Sequence, residues 1–142
     1  MKFRSLFLPL VLLSPLALSA PNHLLKHVKG LSRDYYYIDF SRDALSYKHK
    51  DMVGGEHEKH YLLLGFEGDR FKVVIQSESS DVGYVMPDDS YIVESNIWNE
   101  KEQRMTITVV VISQQTWVDI SFSAYPFAEY QLDVSKLTTS KF

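Results

Sequence analysis

A chain of 142 residues with no cysteine, 15 basic and 18 acidic side chains excludes disulfide staples, thiolate metal sites and a cysteine nucleophile. The acidic balance argues against binding nucleic acid or anionic lipid, and it favours basic protein partners at long range. Aromatic residues make up 13% of the chain, and no internal repeat or low-complexity run interrupts it.

Residues 1–19 combine Lys2 and Arg4, the apolar run Leu6 to Leu13 and the small residues of Ala17-Leu18-Ser19, the three parts of a secretory signal peptide. Cleavage after Ser19 puts small residues at both recognition positions, whereas cleavage after Ala20 would set Pro21 beside the scissile bond. The apolar run is shorter than the roughly 20 residues that span a bilayer, so a periplasmic protein without a membrane anchor is expected. Lys2 and Arg4 leave with the leader, so residues 20–142 carry 13 basic against 18 acidic side chains, a net charge of −5. That length suits one domain able to bury a core of its own.

After a polar stretch from Asn22 to Asp34, Tyr35 to Phe40 reads as a strand. Leu45 to Val53 is polar on both faces around Tyr47-Lys48-His49-Lys50-Asp51, which suits an edge strand or a loop. Tyr61 to Phe66 and Arg70 to Ser77 alternate around Glu67-Gly68-Asp69 and predict an antiparallel hairpin with one buried face. Val82 to Met86 is a short strand stopped by Pro87, and Tyr91 to Arg104 has no legible pattern. Met105 to Ile112 carries β-branched residues on both faces and predicts a central strand. Val118, Ile120 and Phe122 alternate with polar neighbours across Ser113-Gln114-Gln115-Thr116 and predict a second hairpin. Tyr125-Pro126-Phe127 is a turn, and Tyr130, Leu132 and Val134 close a sheet before a tail from Lys136 to Phe142. With no helical period, the expected fold is all-β, an antiparallel, jelly-roll-like β-sandwich of about eight strands.

Tyr37-Ile38-Asp39-Phe40, Gly55, Tyr61, Gly68, Lys72-Val73-Val74-Ile75-Gln76-Ser77, Asp81, Pro87 and Tyr130-Gln131-Leu132-Asp133-Val134 form a spaced pattern. It resembles the periplasmic inhibitors of g-type and i-type lysozyme and, more distantly, bacterial pre-peptidase C-terminal domains. The likeness covers most of the exported chain and is loose between Asp88 and Glu102. It implies a lysozyme, or another peptidoglycan-degrading enzyme, as partner. In that family the corresponding turn carries a Ser-Gly with a Tyr shortly after and enters the enzyme's groove. Here Ser113 is kept, Gln114 or Gln115 stands for the glycine and Trp117 for the tyrosine.

The candidate partner-binding residues are therefore Ser113, Gln114, Gln115, Thr116 and Trp117, with Asp81 and Trp98 added. A donor-bearing tip can hydrogen-bond the raised-pKa carboxylic acid of a lysozyme and block substrate without chemistry of its own. The plainer reading stays open: an ordinary polar turn followed by a packed aromatic. Asp81, Asp88 and Asp89 with their serines read as an acidic loop cluster that lacks EF-hand spacing, so turn chemistry is favoured over a metal. Trp98, in the polar stretch Asn96 to Arg104, is the candidate exposed anchor.

His57-Glu58-Lys59-His60 spaces its histidines at i and i+3 rather than the i and i+4 of a zinc helix, which favours solvated surface. His23, His27 and His49 lie in polar segments without evident partners. No nucleophile elbow or phosphate loop occurs, so an enzyme is not expected, nor a cofactor or metal. A secreted carbohydrate- or protein-binding sandwich and an immunity protein against a cell-wall-degrading effector are the alternatives, and both monomer and homodimer along an exposed strand edge stay open.

Overall fold

Ten strands pair into two five-stranded sheets in a computed structural model that describes residues 23–41 and 46–137. The signal peptide expected over 1–19 and the last residues of the tail lie outside the described residues. In chain order the strands are β1 Leu24–Lys29, β2 Arg33–Asp39, β3 Ser46–Gly54, β4 Glu58–Phe66, β5 Arg70–Ser77, β6 Gly83–Val85, β7 Tyr91–Asn99, β8 Arg104–Val111, β9 Gln115–Phe122 and β10 Phe127–Leu137. One sheet runs β1-β2-β4-β9-β6 and the other β3-β10-β5-β8-β7.

The β-sandwich expected from the alternation is present with two departures: it has ten strands rather than about eight, the stretch read as polar before Tyr35 supplying β1 and the start of β2, and β2 and β4 pair in parallel while the other neighbours are antiparallel. The core follows the period of two. Phe71, Val73 and Ile75 of β5, Ile107, Val109 and Val111 of β8, and Leu132 and Val134 of β10 face Ile38, Leu63, Val118, Ile120 and Phe122 of the other sheet, all essentially buried. Each such side chain contributes about 1.5–3 kcal/mol by leaving water.

Two expectations are corrected. β4 and β5 are not a hairpin, because β4 pairs with β2 and β9 whereas β5 pairs with β10 and β8. The same holds for β8 and β9, which lie in opposite sheets. Only β1–β2 and β7–β8 join strands of one sheet, and the other connections cross between sheets. Residues 67–69 and 112–114 are thus arches between layers. Alternation says which face of a strand is buried, and an arch satisfies it as well as a hairpin does.

At the first arch Gly65 lets the layers approach, since a Cβ there would come 2.6 Å from Val111 Cγ2 and 3.2 Å from Phe71 Cε2. Gly68 takes a positive φ of 87° in the turn.

The unreadable segment Tyr91 to Arg104 is β7 and its turn, the hairpin partner of β8, with a register shift between Val93 and Ser95. β3 is an edge strand carrying Lys48 and Lys50, as its polarity suggests. β10 does not close its sheet but lies inside it between β3 and β5, and it continues through Lys136 and Leu137.

Candidate functional site

Three loops meet at one end of the sandwich and fix the 113–117 segment. Ser90 O accepts from Ile112 N at 2.9 Å and Ser113 N at 3.1 Å, and Ser90 Oγ lies 2.6 Å from Thr116 Oγ1. From the other side Gly68 N donates to Val111 O at 2.9 Å, Val111 N to Asp69 O at 2.9 Å and Glu67 N to Gln114 O at 3.3 Å. Asp69 in turn accepts from Phe66 N at 2.9 Å and pairs with Lys136 at 3.0 Å. Backbone fastened to two neighbouring loops has little freedom left to lose on binding.

No glycine is needed in this arch. Among the described residues the positive-φ positions are Gln103, Gly55 and Gly68, so Gln114 and Gln115 sit in ordinary backbone conformations. The Ser113 hydroxyl leans on Gln115 O at 3.4 Å and that of Thr116 is engaged by Ser90, whereas Gln114 and Gln115 are exposed and their carboxamides have no hydrogen-bond partner among the described residues.

Trp117 begins the outer face of its sheet. It is 38% exposed, and its ring meets Tyr37 edge-on at 5.4 Å and 88°. Pairing sets it beside Leu64, and Leu62, Tyr35 and Phe66 continue an apolar band across β2 and β4. At the same end Asp88 accepts from Ser90 N at 2.8 Å and from its hydroxyl, and these hydrogen bonds hold its carboxyl below the usual range.

The structure of PliG, a periplasmic lysozyme inhibitor of g-type lysozyme from Aeromonas hydrophila, is similar to this chain at 14% identity and a TM-score of 0.47, over 75% of this chain and 96% of that one. No protein-family model and no curated protein match the chain.

Asp81 and Trp98 are not brought to the arch. β9 runs about 23 Å from Gln115 to Phe122, and Asp81 lies beyond its far end, in the loop whose Val82 O accepts from Ser123 N at 2.9 Å. Trp98 pairs with Met105 at the start of β8, again away from the arch, and packs half-buried against the core rather than standing free. The acidic loop of the sequence is therefore divided, Asp88 and Asp89 at one end and Asp81 at the other, because β6 runs between them along the sandwich.

The histidines are less solvated than their sequence suggests. His60 is buried on the outer face of β4, its Nδ1 3.0 and 3.1 Å from the Asp119 carboxylate oxygens and its Nε2 3.3 Å from Glu58. Lys59 points the other way, into the sandwich, and pairs with Asp51. His57 reaches Asp34 at 3.2 Å, and His27 stacks on Tyr36 at 4.1 Å. His23 Nδ1 lies 3.1 Å from Asp39 O, and His49 Nδ1 2.8 Å from Tyr61 Oη, itself 2.6 Å from Tyr130 Oη. Burial pushes the hydroxyls of Tyr61 and Tyr130 well up and that of Tyr47 up to about 12, and it drives His49 down toward its neutral form. This inner network ties the sheets together. The signal for it is the placement of His49 and Asp51 on the Tyr47–Val53 face of β3, which becomes visible once that strand is known to be an edge.

Proposed function

We propose that the protein is a periplasmic inhibitor of a g-type or i-type lysozyme, that it has no catalysis of its own, and that it blocks the enzyme by seating the 112–114 arch and the start of β9 as far as Trp117 in the substrate cleft. The observation that carries the reading is a tip whose backbone is fastened to two other loops while the carboxamides of Gln114 and Gln115 project unpartnered. Such a tip presents neutral donors to the cleft carboxyl groups at low entropic cost. Trp117, beside it, supplies an aromatic anchor of the kind that dominates interface energies. The sequence resemblance from Tyr37 to Pro87 supports the same partner. Asp81 and Trp98 stand outside one contact centred on the arch, so the reading keeps Ser113, Gln114, Gln115, Thr116 and Trp117.

A glycan-binding role is the second reading, favoured by the apolar band around Tyr35, Tyr37 and Trp117. The near-perpendicular Tyr37 and Trp117 rings do not make one flat platform for a sugar, which leaves it weaker.

The test mixes residues 20–142 with g-type, i-type and c-type lysozymes and follows cell-wall lysis. Inhibition of the g or i type, weakened about tenfold or more by Trp117→Ala or by Gln114→Ala with Gln115→Ala, is expected. Undiminished lysis by all three enzymes at excess protein overturns the reading, and binding to peptidoglycan without enzyme supports the second.

A further inference from the structure

At the opposite end of the sandwich, two fixed loops border a half-open cleft of about 590 Å³, in volume within the range of about 300–1,000 Å³ usual for small-ligand pockets. One wall is the loop after β5, where the Ser77 hydroxyl donates to Ser79 O at 2.6 Å and that of Ser79 to Asp81. The other is residues 123–128, held by Ser123 N on Val82 O at 2.9 Å and Gly55 N on Pro126 O at 2.6 Å. Val82 lines the cavity from the core, only 4% exposed.

Four lining side chains stand out: the carboxylates Glu78 and Asp81, and the rings of Tyr125 and Phe127, 94% and 65% exposed. Burying neither ring in the fold forgoes apolar stabilisation that such groups ordinarily supply. None of the ion pairs among the described residues uses Glu78 or Asp81. Lys50 shares with Glu78 only an adjoining cavity of about 330 Å³.

We propose that this cavity is a binding site for a guanidinium group, stacked on Tyr125 or Phe127 and hydrogen-bonded by Glu78 and Asp81. Aromatic faces attract cations, and a planar guanidinium both stacks on a ring and forks onto carboxylates, which a point-like ammonium does less well. A hard divalent ion would require six or more oxygens, and among the described residues no group of three or more acidic or histidine side chains is arranged to hold a metal. The site lies away from the arch and stands independently of the inhibitor reading. The guanidinium comes either from a free guanidino compound or from an arginine of a protein partner.

The test follows backbone amides by NMR during titration with L-argininamide, tri-arginine amide, the neutral isostere tri-citrulline amide, and spermidine. Saturable shifts at Gly55, Tyr125 and Phe127 with the arginine probes and none with citrulline are expected. Glu78→Gln with Asp81→Asn weakens binding about tenfold or more and Tyr125→Leu severalfold, while Asp88→Asn with Asp89→Asn leaves it unchanged. These exposed substitutions keep the dispersed spectrum of the folded chain. Saturation by argininamide as readily as by the peptide assigns a free compound, and preference for the peptide assigns a protein segment. Spermidine binding as tightly as tri-arginine, or equal weakening by the Asp88 and Asp89 changes, overturns the proposal.

Discussion

Asp51 concentrates several forces in one carboxylate between the sheets. Burial pushes its pKa up, but hydrogen bonds from Lys59 and from the Met52 amide at 2.8 Å, together with the Lys59 charge, outweigh that and hold it below the usual range. A carboxyl depressed in the folded state stabilises above its unfolded pKa of about 3.9, and the contribution is lost as pH falls through the folded value. His49 acts in the same sense a little higher: burial keeps it neutral in the fold while the unfolded chain takes up the proton freely below about pH 6.5, so stability falls as pH drops below that value. Asp51→Asn is therefore expected to lower stability at pH 7 by about 1–3 kcal/mol, because it strands the largely buried Lys59 ammonium. It also flattens the loss of stability below pH 4, and urea unfolding at pH 7 and pH 3 measures both. Tyr61→Phe removes the hydroxyl between His49 and Tyr130 and is expected to cost about 1–3 kcal/mol in the same assay, with Tyr130→Phe added to it costing less than a second such step.

At the scale of elements, the arches decide what the strands can present. A hairpin tip would extend its own sheet, whereas the arch at 112–114 bridges the layers and is bolted to residues 67–69 and 90. Because the chain has no native cysteine, the topology is directly testable. Lys72 and Thr108 are paired neighbours on β5 and β8, so Lys72→Cys with Thr108→Cys should cross-link on mild oxidation. Leu64 and Lys72 face outward from opposite sheets, which pack about 10 Å apart, so Leu64→Cys with Lys72→Cys should not. The reverse result, read from non-reducing gels, would restore the β4–β5 hairpin. Gly54 at the end of β3 is a second structural demand, since a Cβ there would lie 2.2 Å from Pro126 O and 2.5 Å from Phe127 Cα.

The molecule as a whole is an acidic sandwich with different faces and ends. The outer surface of one sheet carries the band of Tyr35, Tyr37, Leu62, Leu64 and Trp117, while that of the other carries Lys48, Lys50, Lys72, Gln76, Gln131 and Asp133 around β3, β10 and β5 and the exposed Ile92 and Ile97 on β7. If the proposed leader is removed, the net charge of −5 that remains predicts that association with the basic lysozyme of the proposed function slows by about tenfold or more between low and high salt, with dissociation little changed. Stopped-flow mixing measures this, and a salt-independent association rate would remove steering from the account.

From the sequence alone came the all-β class, the strand at β2, the buried faces of β5, β9 and β10, the central place of β8 and the choice between edge strand and loop for β3, because period-two alternation and turn chemistry are local properties; of the turn read at Ser113 to Thr116, Gln115 and Thr116 proved to be the start of β9. Tertiary structure alone decided that β4 and β5, and β8 and β9, lie face to face rather than side by side. It also separated Asp81 and Trp98 from the arch, buried His60 against Asp119, and gathered Glu78, Asp81, Tyr125 and Phe127 around one cavity. Alternation fixes which side of a strand is apolar, but the choice of neighbour rests on pairing between residues far apart in the chain, to which a local pattern is blind.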